Sequence, residues 1–166
     1  MALKDSLLPE FDHEMGTTRR VLERVPDADL AWKPHTKSFS LGQLAFHIAN
    51  IPHWVGATFD SSVFDVAAIA DDVRPKQPSE VAAILTAFDA NVKKARATVN
   101  EQLDPVFFTP WTLKQNGQEV FTMPKIAVWR GFIMNHLIHH RGQLSVYLRL
   151  RDVPLPSIYG PTADEG

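Results

Sequence analysis

The sequence contains no cysteine among its 166 residues. This absence excludes disulfide bonds, a cysteine nucleophile, cysteine-ligated zinc and an iron–sulfur cluster held by this chain. An excess of positive charge is also lacking, since 17 Lys and Arg residues stand against 19 Asp and Glu residues, for a formal net charge of -2. Such a chain does not attract phosphate groups strongly, so we expect no nucleic-acid partner.

Long apolar runs of the kind that cross membranes are missing too. The most apolar stretch covers residues 126–138 and is interrupted by Arg130, Asn135 and His136. Near the start of the chain, Asp5 precedes any apolar run of signal-peptide length. We therefore expect a cytoplasmic protein with no membrane partner. The composition, with 45% hydrophobic and 22% charged residues, predicts a single folded domain over residues 1–166.

Apolar residues recur with the period of helices in four long segments. These segments cover about residues 7–25, 40–59, 79–103 and 124–151. Each is long enough to cross a small domain, so together they predict an all-α fold, a four-helix bundle. The fourth segment is apolar on most of its circumference and should be the most buried helix.

Local sequence signals predict where the second and third helices begin and where the second helix bends. Ser40 and Gln43 match a capping box, which predicts that the second helix begins there. Pro52 predicts a bend near residues 48–52, because proline removes one backbone hydrogen bond. Ser79 is the expected N-cap of the third helix.

The two longer connections differ in character. Residues 60–78 predict a loop with one short helical turn, because acidic residues and prolines interrupt small apolar ones. In the last crossover, Asn116-Gly117 lies between apolar runs and predicts a small β-hairpin. Aromatic residues before this turn either pack against the bundle or provide a dimer contact; they are Phe107, Phe108 and Trp111.

The unusual feature of the sequence is its seven histidines. His136 and His140 are four residues apart on the predicted fourth helix, so both rings lie on one face, one turn apart. That face is apolar, as is the face of the second helix that carries His47. Three inward histidines could supply three of four tetrahedral metal ligands and leave one position open. The alternative is a set of hydrogen-bonded core or pocket histidines.

Other residues are candidates for the surroundings of such a site. His139 and Gln143 lie close to the pair on the fourth helix and could either support the ligands or be structural. Glu14 on the first helix could be an extra ligand, a base or a salt-bridged group. Arg130 and Arg141 either bind an anionic cosubstrate or are surface charges. The histidines expected on the surface are His13, His35 and His53.

Two well-known metal motifs are absent. A metalloprotease helix reads H-E-x-x-H with the Glu as general base, whereas Leu137 follows His136 here. A ferritin-like di-iron site needs inward Glu residues and Glu-x-x-His pairs, and the second and fourth predicted helices have neither. The sequence therefore favours a mononuclear site.

Three stretches of the chain resemble the DinB/YfiT-like family of candidate metalloenzymes. They read LGQLAFHIA at residues 41–49, NHLIHHRGQL at residues 135–144 and IYGPTADE at residues 158–165. The resemblance implies a four-helix bundle that holds a divalent metal ion, usually nickel or zinc, through three histidines. By position these ligands are His47 from the second helix, and His136 and His140 from the last helix. The resemblance also makes a homodimer plausible, although the sequence defines no interface.

The resemblance indicates function only broadly, because members look like thiol-dependent transferases and isomerases or like proteins of no known activity. Our first hypothesis is a metal-dependent transferase that acts on a low-molecular-weight thiol and a small electrophile. The second is a metal-dependent hydrolase, whose ion lowers the pKa of bound water toward about 7. The third is a non-catalytic metal-binding stress protein. We place the hydrolase after the transferase because the sequence shows no general base beside the ligands.

Overall fold

The computed structural model describes residues 2–68 and 76–165. Its long helices are α1 (Lys4–Leu22), α2 (Leu41–Asn50), α4 (Val81–Asn100) and α7 (His136–Arg149). Shorter helices are α3 (Trp54–Phe59), α5 (Asp104–Phe107) and α6 (Lys125–Ala127). Strands β1 (Val63–Asp65), β2 (Pro110–Gln115) and β3 (Gln118–Pro124) form one small sheet. The fold is therefore mostly helical, as the sequence predicts.

The long helices contact one another in a ring. Helix α1 packs against α4 and α7, and α2 packs against the same two helices. Their buried apolar side chains belong to one continuous core, whose removal from water is the main source of stability. None of the described helices combines the length and the apolar character needed to cross a membrane.

Helix α2 begins where the sequence predicts. The Ser40 side chain accepts a hydrogen bond from the Gln43 backbone N–H, and the Gln43 side chain accepts one from the Ser40 N–H, so the predicted capping box is confirmed. At its end, α2 passes into a 3-10 turn (Ile51–His53) that contains Pro52, and then into α3. The regular helix is thus interrupted at the proline, which lacks the backbone donor that a helix interior needs.

The fourth predicted helix is not uniform, which corrects the expectation of one regular helix. Between α6 and α7 lies a π-helical segment (Val128–Asn135). Val128 and Ile133 are fully buried, and so are Trp129 and Met134. Residues five apart point about 140° away from each other on an α-helix but lie on one side of a π-helix. The wider turns therefore let both pairs be buried, Val128 in a small cluster with Trp111 and Leu113 and the other three residues in the main core.

Strands β2 and β3 form the predicted hairpin around Asn116-Gly117, whose φ angles of 52° and 78° suit a type I′ turn. Strand β1 pairs in parallel with β2 and makes the sheet three-stranded. The predicted all-α fold with only a hairpin is therefore incomplete, since β1 is too short to show the alternation that identifies a strand. The predicted short turn follows as a 3-10 turn (Val66–Ala68), and residues 69–75 of that predicted loop lie outside the described residues.

Asp65, the last residue of β1, ties this strand to the hairpin turn. Its carboxylate accepts hydrogen bonds from the backbone N–H groups of Ala67, Asn116 and Gly117, at 2.9, 3.1 and 2.6 Å. The N–H groups of Ala67 and Gly117 are the main cause of the lowered pKa of this carboxyl group. A single side chain thus links two segments about fifty residues apart in the sequence.

The start of α4 shows that the prediction for Ser79 is wrong. The N-cap residue is Glu80, whose side chain makes no cap hydrogen bond, and the Val81 N–H donates to Asp27 Oδ1 at 2.7 Å. Asp27 lies in the connection between α1 and α2. A residue distant in sequence therefore takes the role of a cap, which a local sequence pattern does not indicate.

The aromatic residues before the hairpin differ in exposure. Phe107 ends α5 and Trp111 lies in β2, and both are fully buried, whereas Phe108 is 64% exposed. The Trp111 Nε1 atom donates to the Ala57 carbonyl at 2.9 Å. Two of these three residues therefore pack inside the molecule, and Phe108 is the one left on the surface.

We expect Asp65→Ala to loosen the hairpin turn, because it leaves backbone donors at the turn without their acceptor. Amide hydrogen exchange at Asn116 and Gly117 should become about tenfold faster or more. The control is Glu119→Ala, which removes a carboxylate of the same hairpin that accepts a hydrogen bond from the Thr122 hydroxyl. Equal exchange rates in the two variants would show that Asp65 does not hold the turn.

Candidate metal centre

Three of the predicted histidines meet between α2 and the start of α7. The Nε2 atoms of His47 and His136 are 3.2 Å apart, and the ring centroid of His140 lies 4.6 Å from that of His47 and 4.7 Å from that of His136. One ring nitrogen from each residue lies within 4.8 Å of the other two. The structure therefore forms a histidine triad that could hold a metal ion. The histidines that are exposed, as predicted, are His13, His35 and His53.

Helix geometry accounts for this convergence. His136 is the first residue of α7 and His140 follows one turn later, so their rings share one face. Helix α7 packs against α2, where His47 lies one turn before the 3-10 turn. All three side chains are half-buried, which leaves the triad accessible from solvent.

Hydrogen bonds fix the orientation of two of the rings. The His136 Nδ1 atom lies 3.2 Å from the carbonyl oxygen of Phe132, and the His140 Nδ1 atom lies 2.7 Å from Gln143 Oε1. Because these oxygens only accept hydrogen bonds, both Nδ1 atoms donate. In a neutral imidazole this leaves the lone pair on Nε2, and the Nε2 atom of His136 faces that of His47.

Burial lowers the pKa of all three imidazoles. The pKa of His47 falls to about 4, first through loss of hydration and then through repulsion from His140 and His136. Loss of hydration is also the main cause of the lowered pKa values of His136 and His140. The triad is therefore neutral at pH 7, and neutral imidazole is the form that binds metal ions.

The donor set fits a divalent metal ion. Two tetrahedral nitrogen ligands at about 2.0–2.1 Å from zinc lie about 3.3 Å apart. The His47 and His136 Nε2 atoms, 3.2 Å apart, are close to that separation. Imidazole suits zinc, copper, iron and nickel, so the donors alone do not select one ion. Three protein ligands leave a fourth tetrahedral position for water or substrate.

Glu14 is engaged in a buried ion pair. Its carboxylate lies 2.6 Å from Arg141 Nη1, and the Tyr159 hydroxyl donates to it at 2.9 Å. Arg141 is 1% exposed and also donates to Thr18 Oγ1. Of the three roles considered for Glu14, the structure supports the salt-bridged group rather than a ligand or a base.

Both arginines that the sequence suggested as binding residues for an anionic cosubstrate are already paired with a carboxylate. Arg141 lies in the core and not on the surface, and Arg130 pairs on the surface with Glu10, with Nη2 and Oε2 2.9 Å apart. The hydrogen bond from Tyr159 to Glu14 could not be predicted from helical periodicity, because the tail that carries Tyr159 follows no helical period. The only available signal was the resemblance of residues 158–165 to a family pattern.

Charged residues hold the tail and hence Tyr159 in place. Asp164 pairs with Arg149, and Glu165 pairs with Arg24. Both acids also accept backbone hydrogen bonds from the tail itself, at 2.9 Å for Asp164 and 3.2 Å for Glu165. The last described residues are therefore fastened to α7 and to the end of α1.

Two open cavities border the triad. The one beside α2 measures about 380 Å³ and is lined by Phe39, Gln43, Phe46, His47, Asn50 and Gln77. The one beside α7 measures about 330 Å³ and is lined by Gly131, Phe132, Asn135, His136 and His139. His139 is exposed, and its ring centroid is 5.0 Å from that of His140. Within the described residues, neither lining contains a carboxylate.

Comparison with known proteins identifies the family of this chain. The model of the DinB family matches residues 1–166. The chain belongs to the DinB family. The resemblance that the sequence motifs indicate is thereby confirmed over the whole chain.

Individual DinB relatives are distant in sequence. The uncharacterized protein YrdA of Bacillus subtilis (strain 168) is 25% identical over 171 residues, which cover 97% of this chain and 90% of YrdA. A DinB-like protein from Bacillus cereus ATCC 10987 is 19% identical with a TM-score of 0.72, over 93% of this chain and 97% of its own. The DinB-like protein YjoA of Bacillus subtilis is 17% identical with a TM-score of 0.71, over 95% of this chain and 99% of YjoA. The two structures show a shared fold.

The lowered pKa of His47 predicts how the stability of the metal-free protein depends on pH. Between pH 6.5 and about 4 the unfolded chain binds a proton at this residue that the folded chain does not. The free energy of unfolding should therefore be highest above pH 6.5 and fall as the pH drops toward 4. Urea unfolding with a chelator present, compared between wild type and His47→Phe, isolates this contribution. Identical pH profiles would contradict the prediction.

The buried ion pair predicts a large effect of Arg141→Met. This change leaves the Glu14 carboxylate buried without its cation, so we expect a loss of about 3–5 kcal/mol in the free energy of unfolding. The double variant Glu14→Leu with Arg141→Met should recover most of the loss. Arg130→Met, which breaks an exposed pair, should have a much smaller effect. Chemical denaturation measures all four proteins, and equal losses in the two single variants would contradict the prediction.

Proposed function

We propose that this DinB protein is a metal-dependent transferase that joins a low-molecular-weight thiol to a small electrophile. The observation that carries the proposal is the convergence of three neutral imidazoles, with ligand atoms within 4.8 Å of one another. His47, His136 and His140 would hold a divalent ion, nickel or zinc. Three such ligands with one open position are typical of catalytic rather than structural zinc sites.

The residues around the triad favour a thiol over water as the nucleophile. Hydrolysis needs a base that activates water, and the residues described in the linings of the two bordering cavities include no carboxylate. The buried carboxylate of Glu14 is already paired with Arg141. A thiol needs less assistance, because its pKa of about 8.5 is close to neutrality.

A bound divalent cation would supply positive charge that favours the thiolate. The thiol then loses its proton to solvent, its sulfur forms a bond to the electrophilic carbon, and the leaving group departs with the electron pair of the broken bond. The sulfur must belong to a cosubstrate, since the chain has no cysteine. The protein's own contribution is orientation: Phe132 and Gln143 accept hydrogen bonds from Nδ1 of His136 and His140, which leaves the Nε2 atoms of these rings unprotonated.

Apolar rings next to the triad limit access of water. The ring centroid of Phe39 lies 5.8 Å from that of His47, and the ring centroid of Phe132 lies 5.8 Å from that of His136. Partial exclusion of water strengthens the attraction between a cation and an anionic sulfur, because the local dielectric constant is lower. This setting supports the transferase proposal.

The proposal also covers the domain organisation, the cellular location and the oligomeric state of the protein. Residues 1–166 form one domain built as a four-helix bundle, which is supported by the ring of contacts among α1, α2, α4 and α7. The protein is cytoplasmic and forms a homodimer. Size-exclusion chromatography with light scattering tests the dimer.

Loss of a triad histidine should abolish metal binding. Wild-type protein loaded with nickel or zinc and then desalted should retain about one equivalent, whereas His47→Ala and His136→Ala should retain almost none, because each loses one of three ligands. The matched control is His53→Ala, which changes an exposed histidine six residues after His47. Mass spectrometric metal analysis measures the content. Full retention in the triad variants would overturn the proposed site.

The activity assay separates the three hypotheses. The loaded wild-type protein is mixed with a panel of small thiols and 1-chloro-2,4-dinitrobenzene as a generic electrophile. A transferase consumes thiol only when both metal and triad are intact. Metal-dependent hydrolysis of ester substrates without thiol turnover would identify the hydrolase instead. Stoichiometric metal with neither activity would identify a non-catalytic binder.

A further inference from the structure

We propose that the groove along α2 binds the body of the thiol substrate, and that the part of this body next to the triad is an uncharged chain of amide or hydroxyl groups. The inference rests on the proposed function, because the triad fixes where the sulfur reacts. It adds the direction from which the thiol approaches, the α2 side, and the chemical class that the protein recognises.

The groove extends well beyond the triad. The cavity of about 380 Å³ that contains His47 is lined by Gln43 and Gln77. A second cavity of about 440 Å³ is lined by the same two residues and continues past Ser40 to the charged residues Lys33 and Asp27 at its far end. Since two shared side chains border both cavities, they form one groove with His47 at one end. An elongated small molecule can therefore reach the triad while the rest of it lies along α2.

Carboxamides supply the hydrogen-bonding groups of this groove. The Gln43 Oε1 atom accepts from the Ser40 N–H, which leaves its amide NH₂ group to donate to a ligand. The Asn50 NH₂ group donates to the Phe46 carbonyl, which leaves its Oδ1 atom to accept. The groove thus offers both a donor and an acceptor, the combination that an amide or hydroxyl group requires.

Gln77 adds a third carboxamide, and Gly42 makes room for it. A Cβ atom at position 42 would lie 2.4 Å from Gln77 Nε2, so this side chain rests directly on the first turn of α2. That contact brings Gln77 next to Gln43 across the groove. A side chain at position 42 would displace it, which ties the shape of the groove to this glycine.

The lining next to His47 also indicates what the ligand lacks. Among the residues that the structure describes, it contains two aromatic rings, Phe39 and Phe46, and three carboxamides, but no Lys, Arg, Asp or Glu. A charged group placed there would lose hydration without gaining an opposite charge. The part of the thiol nearest the triad is therefore uncharged.

The test uses two thiols that differ in the proposed recognition groups. N-acetylcysteine amide carries two amide groups and no charge, whereas ethanethiol has no hydrogen-bonding group besides its sulfur. Each is titrated into cobalt-loaded protein, and the thiolate-to-metal charge-transfer absorption gives its affinity. Gln77→Leu and Asn50→Leu should each weaken binding of N-acetylcysteine amide about 3–10-fold, as expected for one lost hydrogen bond. Binding of ethanethiol and the metal content should stay unchanged.

Asn135→Leu is the matched control, because Asn135 is a carboxamide beside the cavity on the α7 side. Weaker N-acetylcysteine amide binding in this variant alone would place the thiol on the other side and overturn the inference. Equal affinity in wild type, Gln77→Leu and Asn50→Leu would overturn it as well.

A measurement without metal separates this inference from the proposed function. In metal-free, ¹⁵N-labelled protein, N-acetylcysteine amide should shift the side-chain NH₂ signals of Gln43, Asn50 and Gln77 and leave that of Asn135 in place. If the protein binds no metal but these signals shift, the proposed function fails and the groove remains. If metal binds stoichiometrically and the signals do not shift, only the groove is wrong.

Discussion

The constraint on which the rest of this structure depends is the close approach of three imidazole rings. The ring centroids of the triad are 4.6 to 5.0 Å apart, so the rings repel one another strongly once two of them are protonated to the positively charged imidazolium form. The arrangement therefore favours neutral rings, which agrees with their lowered pKa values. The packing of α2 against α7 holds the triad together, and the contact between the Nε2 atoms of His47 and His136 adds a hydrogen bond between the two helices.

The attachment of α7 to α1 supports that packing. Arg141 follows His140 directly and is therefore rotated by about 100° around the helix. While His140 faces α2, Arg141 reaches α1 and pairs with the buried Glu14. Tyr159 from the tail completes this contact, since its hydroxyl accepts from Arg141 and donates to Glu14. One short stretch of α7 thus binds the neighbouring helix on one face and presents a candidate ligand on the next.

The sequence allowed prediction of those features that depend on local pattern. The helical segments follow from apolar period, the start of α2 from Ser40 and Gln43, and the hairpin from Asn116-Gly117. The candidate ligands could be predicted because two of them are four residues apart on one helix face. Their meeting with His47 could be expected because both faces are apolar and because the family resemblance places a ligand at that position.

Features that depend on contacts between distant segments could not be predicted. Asp27 caps α4 although more than fifty residues separate it from that helix, and Asp65 fastens a three-residue strand to a distant turn. Arg141 looks like an ordinary helix-surface charge until α1 places Glu14 opposite it. In each case a single polar side chain pairs with polar groups that lie elsewhere in the sequence. The hydrophobic periodicity of a sequence contains no information about such a pairing.

The π-helical segment connects the core with the candidate ligands. Its core residues recur at a spacing of five, which sets the course of the chain just before His136. The carbonyl oxygen of Phe132, within the same segment, accepts the hydrogen bond from His136 Nδ1. The packing of Trp129 and Ile133 therefore determines where this acceptor lies and hence which nitrogen of His136 faces the triad. In this way the apolar spacing of the core fixes the chemistry that the first ligand of α7 can offer.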